Sequence, residues 1–352
     1  MNVRVPDKTI DSLFIAGGFN DWNPHAEGFG LAKKDSLTYH INLNLAKGNH
    51  EFKITRGSWN KVESKINGYA ISNRILNLNV DTVMDIRIEN WADHFKAQEK
   101  IAYTFGDHVH VVDTSFHMPQ LKKNRKIWIY LPKSYKNGSK KYPVLYMHDG
   151  QNLFHATPAR NDEWAVDSVT DSLIREGEKE MIIVGIDHAG TDRLTEYNPY
   201  DSKYGRGEGK AYTQFLVETL KPYIDKNYRT LTDAQHTSIA GSSLGGLISM
   251  YAISTYPKVF GSAGIFSPAF WLAPKIYEDV AQAAIQMKNS KLFFVAGDKE
   301  GVAMVEDMKK VHHILNPEGK NKKVVFVEKE DGKHTEWFWH REFVAFYQFI
   351  AQ

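Results

Sequence analysis

The stretch Thr237-Ser-Ile-Ala-Gly241-Ser242-Ser243-Leu244-Gly245-Gly246 decides how this chain is read. An apolar strand runs into it, and a helix-compatible stretch, Leu247–Tyr256, runs out of it. Inside it lies the pattern G-x-S-x-G, as Gly241, Ser243 and Gly245. A chain that passes from strand to helix over so few residues holds the residue at the tip in a strained conformation. Glycines on either side remove side chains that would clash there. The Ser243 hydroxyl then projects into the crevice beyond the strand ends, near a helix N-terminus that favours developing negative charge. Ser242 is an adjacent hydroxyl, but it is out of register with the motif. A glycine-rich turn without chemistry has the same composition, so the reading depends on partners elsewhere.

Serine is a poor nucleophile until a base takes its proton. Of the 15 histidines, His334 has the expected setting. It follows a late strand, Val324–Glu328, in the loop Asp331-Gly-Lys-His334-Thr-Glu-Trp337, ahead of an aromatic helix. His340 falls inside that helix and is the weaker candidate. A carboxylate must orient the imidazole. Leu292-Phe-Phe-Val-Ala-Gly297-Asp298-Lys299-Glu300-Gly301 offers both Asp298 and Glu300 after another strand. The acid of such sheets commonly sits about three residues past the terminal glycine, which favours Glu300, and the chain order is serine, acid, histidine. The tetrahedral intermediate needs backbone donors. One is the N–H of Leu244. The other is expected from Gln151 or Gly150, in the loop His148-Asp149-Gly150-Gln151-Asn152 after the strand Val144–Met147. His148 and Asp149 are read as holding that loop.

Outward from these residues, near-continuous apolar runs recur at Met181–Ile186, Ser262–Phe266, Leu292–Ala296 and Val324–Glu328. Amphipathic segments such as Ala211–Asn227 and Leu247–Tyr256 separate them. A hairpin-like pair, His108–Phe116 and Lys126–Leu131, precedes them. This pattern predicts a mainly parallel sheet covered on both faces, an α/β domain of roughly 260 residues. Before residue 90 the texture differs. Short alternating stretches, Ser12–Ala16, Thr38–Leu45, His50–Thr55, Ile75–Val80 and Val83–Ile88, alternate with turns at Gly17-Gly18, Lys47-Gly48-Asn49, Arg56-Gly57 and Asn67-Gly68. They predict a small all-β, immunoglobulin-like sandwich. Residues 1–92 and 93–352 are therefore expected to be separate domains, with a linker or short helix over Trp91–Glu99.

Composition narrows the class. The 352 residues are 42% hydrophobic and 24% charged, which excludes wholesale disorder, collagen and coiled coil. A net charge of +2 gives no reason to expect nucleic acid or an anionic membrane as partner. The clusters Lys122–Arg125–Lys126 and Lys320–Lys322–Lys323 are expected to be solvated loops. The absence of cysteine excludes a thiol nucleophile, disulfides and cysteine-ligated metal. No apolar run is long enough to span a bilayer. The N-terminus carries no signal-like segment; the expected location is secreted or periplasmic with a signal removed, and the alternative is cytoplasmic.

With these residues assembled, about residues 100–352 resemble a known family. It comprises the esterases around bacterial enterochelin (siderophore) esterases, esterase D and the family-one carbohydrate esterases, which include feruloyl and acetylxylan esterases. The stretches that carry the resemblance are Tyr142–Phe154, Gly241–Gly246, Ala296–Gly301, Gly332–Trp337 and Arg193-Leu-Thr-Glu-Tyr-Asn-Pro199. The resemblance implies an α/β-hydrolase fold, with Ser243 as nucleophile, His334 as base and Glu300 as acid. It implies no cofactor and no metal. The N-terminal part is similar to starch- and glycogen-binding sandwich modules, including the domain preceding isoamylases. Ala16–Pro24, Glu51–Trp59 and Ile71–Arg74 carry that similarity. It implies that Trp22 and Trp59 stack on sugar rings while Lys53 and Asn73 bond hydroxyls.

Together these readings predict a serine carboxylic-ester hydrolase acting on an acyl (feruloyl or acetyl) ester of a polysaccharide or oligosaccharide. The alternatives are a siderophore or other small-molecule esterase, or a catalytically silent glycan-binding protein. Tyr200, Tyr204 and Trp164 are candidates for an aromatic acyl pocket, and the segment from Asp187 to Gly209 is expected to border the cleft.

Overall fold

The computed structural model describes residues 1–7, 11–66, 71, 73–94, 106–154 and 163–352. The chain divides into two compact units, one within residues 1–102 and one that begins at residue 103.

The first unit is all-β. Its strands are β1 (Asn2–Arg4), β2 (Leu13–Gly17), β3 (Gly30–Lys33), β4 (Thr38–His40), β5 (Gly48–Thr55), β6 (Glu63–Ser64), β7 (Arg74–Leu78), β8 (Asp85–Arg87) and β9 (Asn90–Trp91). Seven join in the order β7-β5-β2-β3-β4-β1-β8, and β6 pairs with β9. The first half of β3 pairs with β2 and the second half with β4, so β3 is shared between two half-sheets. Residues of both halves bury into one core: Val3 and Tyr39 from one, Leu13, Ile15, Phe52 and Ile54 from the other. β1 and β3 are too short to stand out by alternation. The turn expected at Lys47-Gly48-Asn49 instead opens β5. Trp91, expected in a linker, is fully buried in this core. The Asn67-Gly68 turn lies outside the described residues.

The second unit carries an eight-stranded sheet. β10 (Val109–Met118), β11 (Lys123–Tyr130) and β13 (Ile182–Ile186) are antiparallel neighbours. From β13 onward every neighbour is parallel, through β12 (Val144–His148), β14 (Thr237–Ser242), β15 (Ser262–Phe266), β16 (Lys291–Gly297) and β17 (Val324–Lys329). β12 to β15 are buried at every residue, which explains their unbroken apolar runs. The strand period of two still sorts the sheet into faces. Val144 and Tyr146 enter one core with α5 (Leu244–Thr255) and α7 (Val302–Leu315). Leu145 and Met147 enter another with α1 (Val166–Arg175) and α8 (Glu336–Ala351). The result is a helix–sheet–helix sandwich of α/β-hydrolase type.

Three expectations need correction. α5 is not amphipathic: Gly245 to Ser254 are buried without a break, because it crosses the middle of the sheet under other helices. The helix expected over Ala211–Asn227 is α3 (Gly209–Phe215) and α4 (Lys221–Asn227), joined by a π-helical turn at Leu216–Leu220. Pro222 lacks the N–H that would continue the regular ladder there. The cluster Lys122–Arg125–Lys126 is only partly a solvated loop. Lys122 sits in the β10–β11 turn at φ 54, but Arg125 is buried, its Nη2 donating to both carboxylate oxygens of Glu196 in α2 (Arg193–Glu196).

Candidate active site

Ser243 stands between β14 and α5 at φ 58, ψ −118, a region that non-glycine residues rarely occupy. Its own backbone holds it there. Its N–H donates to Phe266 O at 2.9 Å, and its carbonyl accepts from Ala269 N at 3.0 Å, so the tip is tied to the end of β15. A Cβ at Gly241 would lie 2.9 Å from the carbonyl carbon of Gly245, so the motif's glycines allow strand and helix backbones to touch. The Ser243 side chain is half-buried and makes no hydrogen bond with any described residue. Free enzymes often close such contacts only around substrate.

β16 ends in a turn that carries Asp298 and Glu300. Asp298 faces solvent, whereas the Glu300 carboxylate is wholly buried. Glu300 Oε2 lies 2.6 Å from His334 Nδ1. The carboxylate can only accept, so Nδ1 carries the proton and Nε2 is the ring's basic nitrogen. Glu300 Oε1 accepts from Gly297 N at 2.7 Å and from Ser267 Oγ at 2.8 Å. The His334 ring is 40% exposed, and the Trp339 indole packs edge-on against it at 4.9 Å. His340 is half-buried in α8. Ser267 and Trp339 were not singled out by sequence. Each looks like an ordinary core residue until its partner is known.

The loop after β12 is cross-braced. Asp149 adopts φ 59, ψ 46, turning the chain into a short 3-10 turn over Gly150–Asn152. Its buried carboxylate takes two bonds from Arg193, Nε to Oδ1 at 2.6 Å and Nη2 to Oδ2 at 2.8 Å. Arg193 Nη2 also reaches Ser242 O at 3.4 Å, linking this loop to the residue before Ser243. Burial opposes the Asp149 charge, yet the guanidinium holds its carboxyl below the usual range. Burial pushes the His148 imidazole down to about 3, so it is neutral, with Nδ1 2.9 Å from Tyr212 Oη. Gln151 Oε1 accepts from His188 N at 3.1 Å, while its buried Nε2 has no partner among the described residues. Leu244 is the first residue of α5, where a backbone N–H lacks an intrahelical acceptor.

The segment after β13 is therefore a bonded wall: Glu196, Tyr197 and Asn198 are buried there. Burial also pushes Asp187, at the end of β13, up to about 6. Trp164 cannot line an acyl pocket. It is buried among Trp339, Phe266 and Phe343. Tyr200 is half-buried, with its hydroxyl bonded to Asp279 Oδ2 at 2.8 Å, and Tyr204 is half-buried.

In the first unit Trp59 is 42% exposed and Trp22 half-buried, with ring centroids 6.4 Å apart and planes inclined at 40°. Lys53 Nζ donates to Ile71 O at 2.8 Å, and Asn73 Nδ2 donates to Glu51 Oε2 at 2.9 Å. The indole pair and the Lys53 and Asn73 side chains are thus held by separate contacts.

The Esterase family model matches residues 119–347. The chain belongs to this family and is a carboxylic ester hydrolase. It is 28% identical over 236 residues to YbbA of Bacillus subtilis, covering 61% of this chain and 88% of that protein. It is 26% identical over 230 residues to an endo-1,4-beta-xylanase/feruloyl esterase of Xylanibacter ruminicola, covering 62% of this chain but only 27% of that protein. A further match, 41% identical over 100 residues, is to an amylopullulanase of Thermoanaerobacter thermohydrosulfuricus, covering 26% of this chain and 7% of that one. The enterobactin esterase FES of Shigella flexneri superposes with a TM-score of 0.57 at 15% identity, over 100% of this chain and 91% of that one. At that identity the likeness is one of fold.

Proposed function

We propose that Ser243, His334 and Glu300 form a catalytic triad that hydrolyses an acyl ester of a carbohydrate. The observation that carries this reading is the 2.6 Å bond between His334 Nδ1 and the buried Glu300 Oε2, in a domain where the strained Ser243 directly follows β14. His334 Nε2 takes the proton as Ser243 Oγ attacks the ester carbonyl. The backbone N–H groups of Leu244 and Gln151 receive the negative charge on the carbonyl oxygen. The alkoxide leaves with the proton from His334, and an acyl-enzyme remains. His334 then draws a proton from water, which attacks the acyl carbon, and the second tetrahedral intermediate collapses to the acid as His334 returns that proton to the departing Ser243 Oγ, restoring the neutral imidazole and the free hydroxyl.

The carbohydrate part of the reading rests on the first unit. A pair of indoles inclined to one another can cover successive sugar rings, while Lys53 and Asn73 bond hydroxyls. The amylopullulanase match is about the length of that unit. The xylanase/feruloyl esterase match makes a feruloyl ester the first substrate to try. The likeness to the enterobactin esterase, which extends over the whole chain, supports a second reading, a siderophore-type or other small ester. Hydrolysis of methyl ferulate beside p-nitrophenyl acetate, by wild type and Ser243→Ala, separates them. Serine-dependent turnover of ferulate is expected. Turnover of acetate alone, still through Ser243, would replace the feruloyl reading by an acetyl or small-molecule ester.

A further inference from the structure

Ser267 follows the last residue of β15, is wholly buried, and sits at φ 42. A serine in that region of backbone space is uncommon, and something must hold it there. Its N–H donates to Val295 O at 2.7 Å, which pins it to β16. Its hydroxyl is used in both senses. It donates to Glu300 Oε1 at 2.8 Å and accepts from Trp339 Nε1 at 2.9 Å. Glu300 Oε2 meets His334 Nδ1, and the Trp339 ring closes back on His334 at 4.9 Å, inclined at 85°. Four side chains thus form a closed ring of contacts: His334, Glu300, Ser267, Trp339.

We propose that Ser267 and Trp339 are positioning residues for the acid–histidine pair. This rests on the triad reading above. A carboxylate rotates about its last bond, and a single donor on Oε1, Gly297 N, would leave that rotation loosely fixed. The second donor, from Ser267, sets the carboxylate plane and so the direction of Oε2. Trp339 serves twice. Its N–H fixes the Ser267 hydroxyl so that the hydroxyl hydrogen points at Glu300, and its edge limits the tilt of the His334 ring. In a buried site such linked bonds polarise one another, and one missing donor is felt along the chain. Neither residue touches the substrate in this scheme. Both act through Glu300.

The test is a double-variant cycle on kcat. Ser267→Ala is expected to lower kcat about tenfold, the loss of one bond to a charged acceptor, with KM changed less than twofold. In a Glu300→Gln background the same change is expected to lower kcat by less than about twofold, because the group it orients is already disabled. The low-field proton resonance of the His334–Glu300 bond should move in Ser267→Ala and be absent in Glu300→Gln. Trp339→Phe, which keeps the ring edge but not the donor, should show the same non-additivity with Glu300→Gln and supplies the cycle if Ser267→Ala does not fold. Equal losses in both backgrounds, or an unmoved resonance, would overturn the proposal and leave the triad intact. Full activity in Ser243→Ala would instead overturn the triad reading itself.

Discussion

Gly297 and Gly332 lie back to back with nothing between them. A Cβ at Gly297 would fall 2.2 Å from the carbonyl carbon of Gly332, and one at Gly332 would fall 2.6 Å from Gly297 Cα. Lys299 N donates to Gly332 O at 3.0 Å across the same contact. Gly297 is three residues before Glu300, and Gly332 is two before His334. The bare backbones bring the two loops close enough for the acid to reach the imidazole. Gly332→Ala must push them apart. We expect kcat to fall by one to two orders of magnitude, the class of loss that a misplacement of about 1 Å produces. Gly106→Ala, where a Cβ meets nothing within 4 Å, should leave kcat unchanged. Steady-state kinetics on p-nitrophenyl acetate decides it.

The same geometry distinguishes the two acids of that loop. Glu300→Gln is expected to lower kcat by roughly two to four orders of magnitude, as loss of a triad acid does elsewhere. Asp298→Asn, at a solvent-facing position, should stay within about twofold. The reverse ranking would show that the Glu300 contact is not used in turnover.

Arg193 and Asp149 form a nearly enclosed pair whose removal is asymmetric in effect. Arg193→Met leaves a buried carboxylate with no partner and should destabilise the fold by about 3–5 kcal/mol. Arg193→Met with Asp149→Asn removes the stranded charge and should recover part of that loss. Urea melts of the three proteins measure it. Equal stability of wild type and Arg193→Met would mean that the pair does not brace the loop after β12.

His148 gives the fold an acid limb. Unfolded, its imidazole takes up a proton below about 6.5, whereas in the fold it stays neutral down to about 3. Between those values the unfolded chain binds more protons. Stability from this site is therefore complete above about 6.5 and is lost as pH falls toward 3, by at most about 1.4 kcal/mol per pH unit. His148→Asn, which keeps a polar atom for Tyr212, should flatten the fall of Tm across that window. An unchanged slope would assign the acid limb to other groups.

For the first unit, binding of the whole chain to glycogen or soluble xylan should weaken about tenfold in Trp59→Ala, the loss of one exposed stacking platform. Affinity electrophoresis measures it. Wild-type binding by Trp59→Ala would remove the indole pair from the glycan reading.

Much of this was legible in the residues. The unbroken apolar strands mark a sheet covered on both faces, and G-x-S-x-G between strand and helix places Ser243. A strand-end loop offers two carboxylates, and the resemblance to α/β hydrolases favours Glu300, the one that meets His334. What could not be read is what depends on contacts between distant segments. Arg125 looks like one member of a basic cluster, but it is buried against Glu196. Trp164 looks available for a substrate, but it is buried against Trp339. Ser267 is invisible because a lone serine after a strand carries no pattern. Its two partners lie 33 and 72 residues away.

Every step of the proposed hydrolysis turns on Ser243 as the nucleophile. The most direct measurement is labelling of the intact protein with a fluorophosphonate, followed by peptide mass mapping. One adduct is expected, on Ser243, abolished in Ser243→Ala and slowed in Glu300→Gln. An adduct on Ser242 or elsewhere, or no adduct in a preparation that hydrolyses p-nitrophenyl acetate, would contradict it.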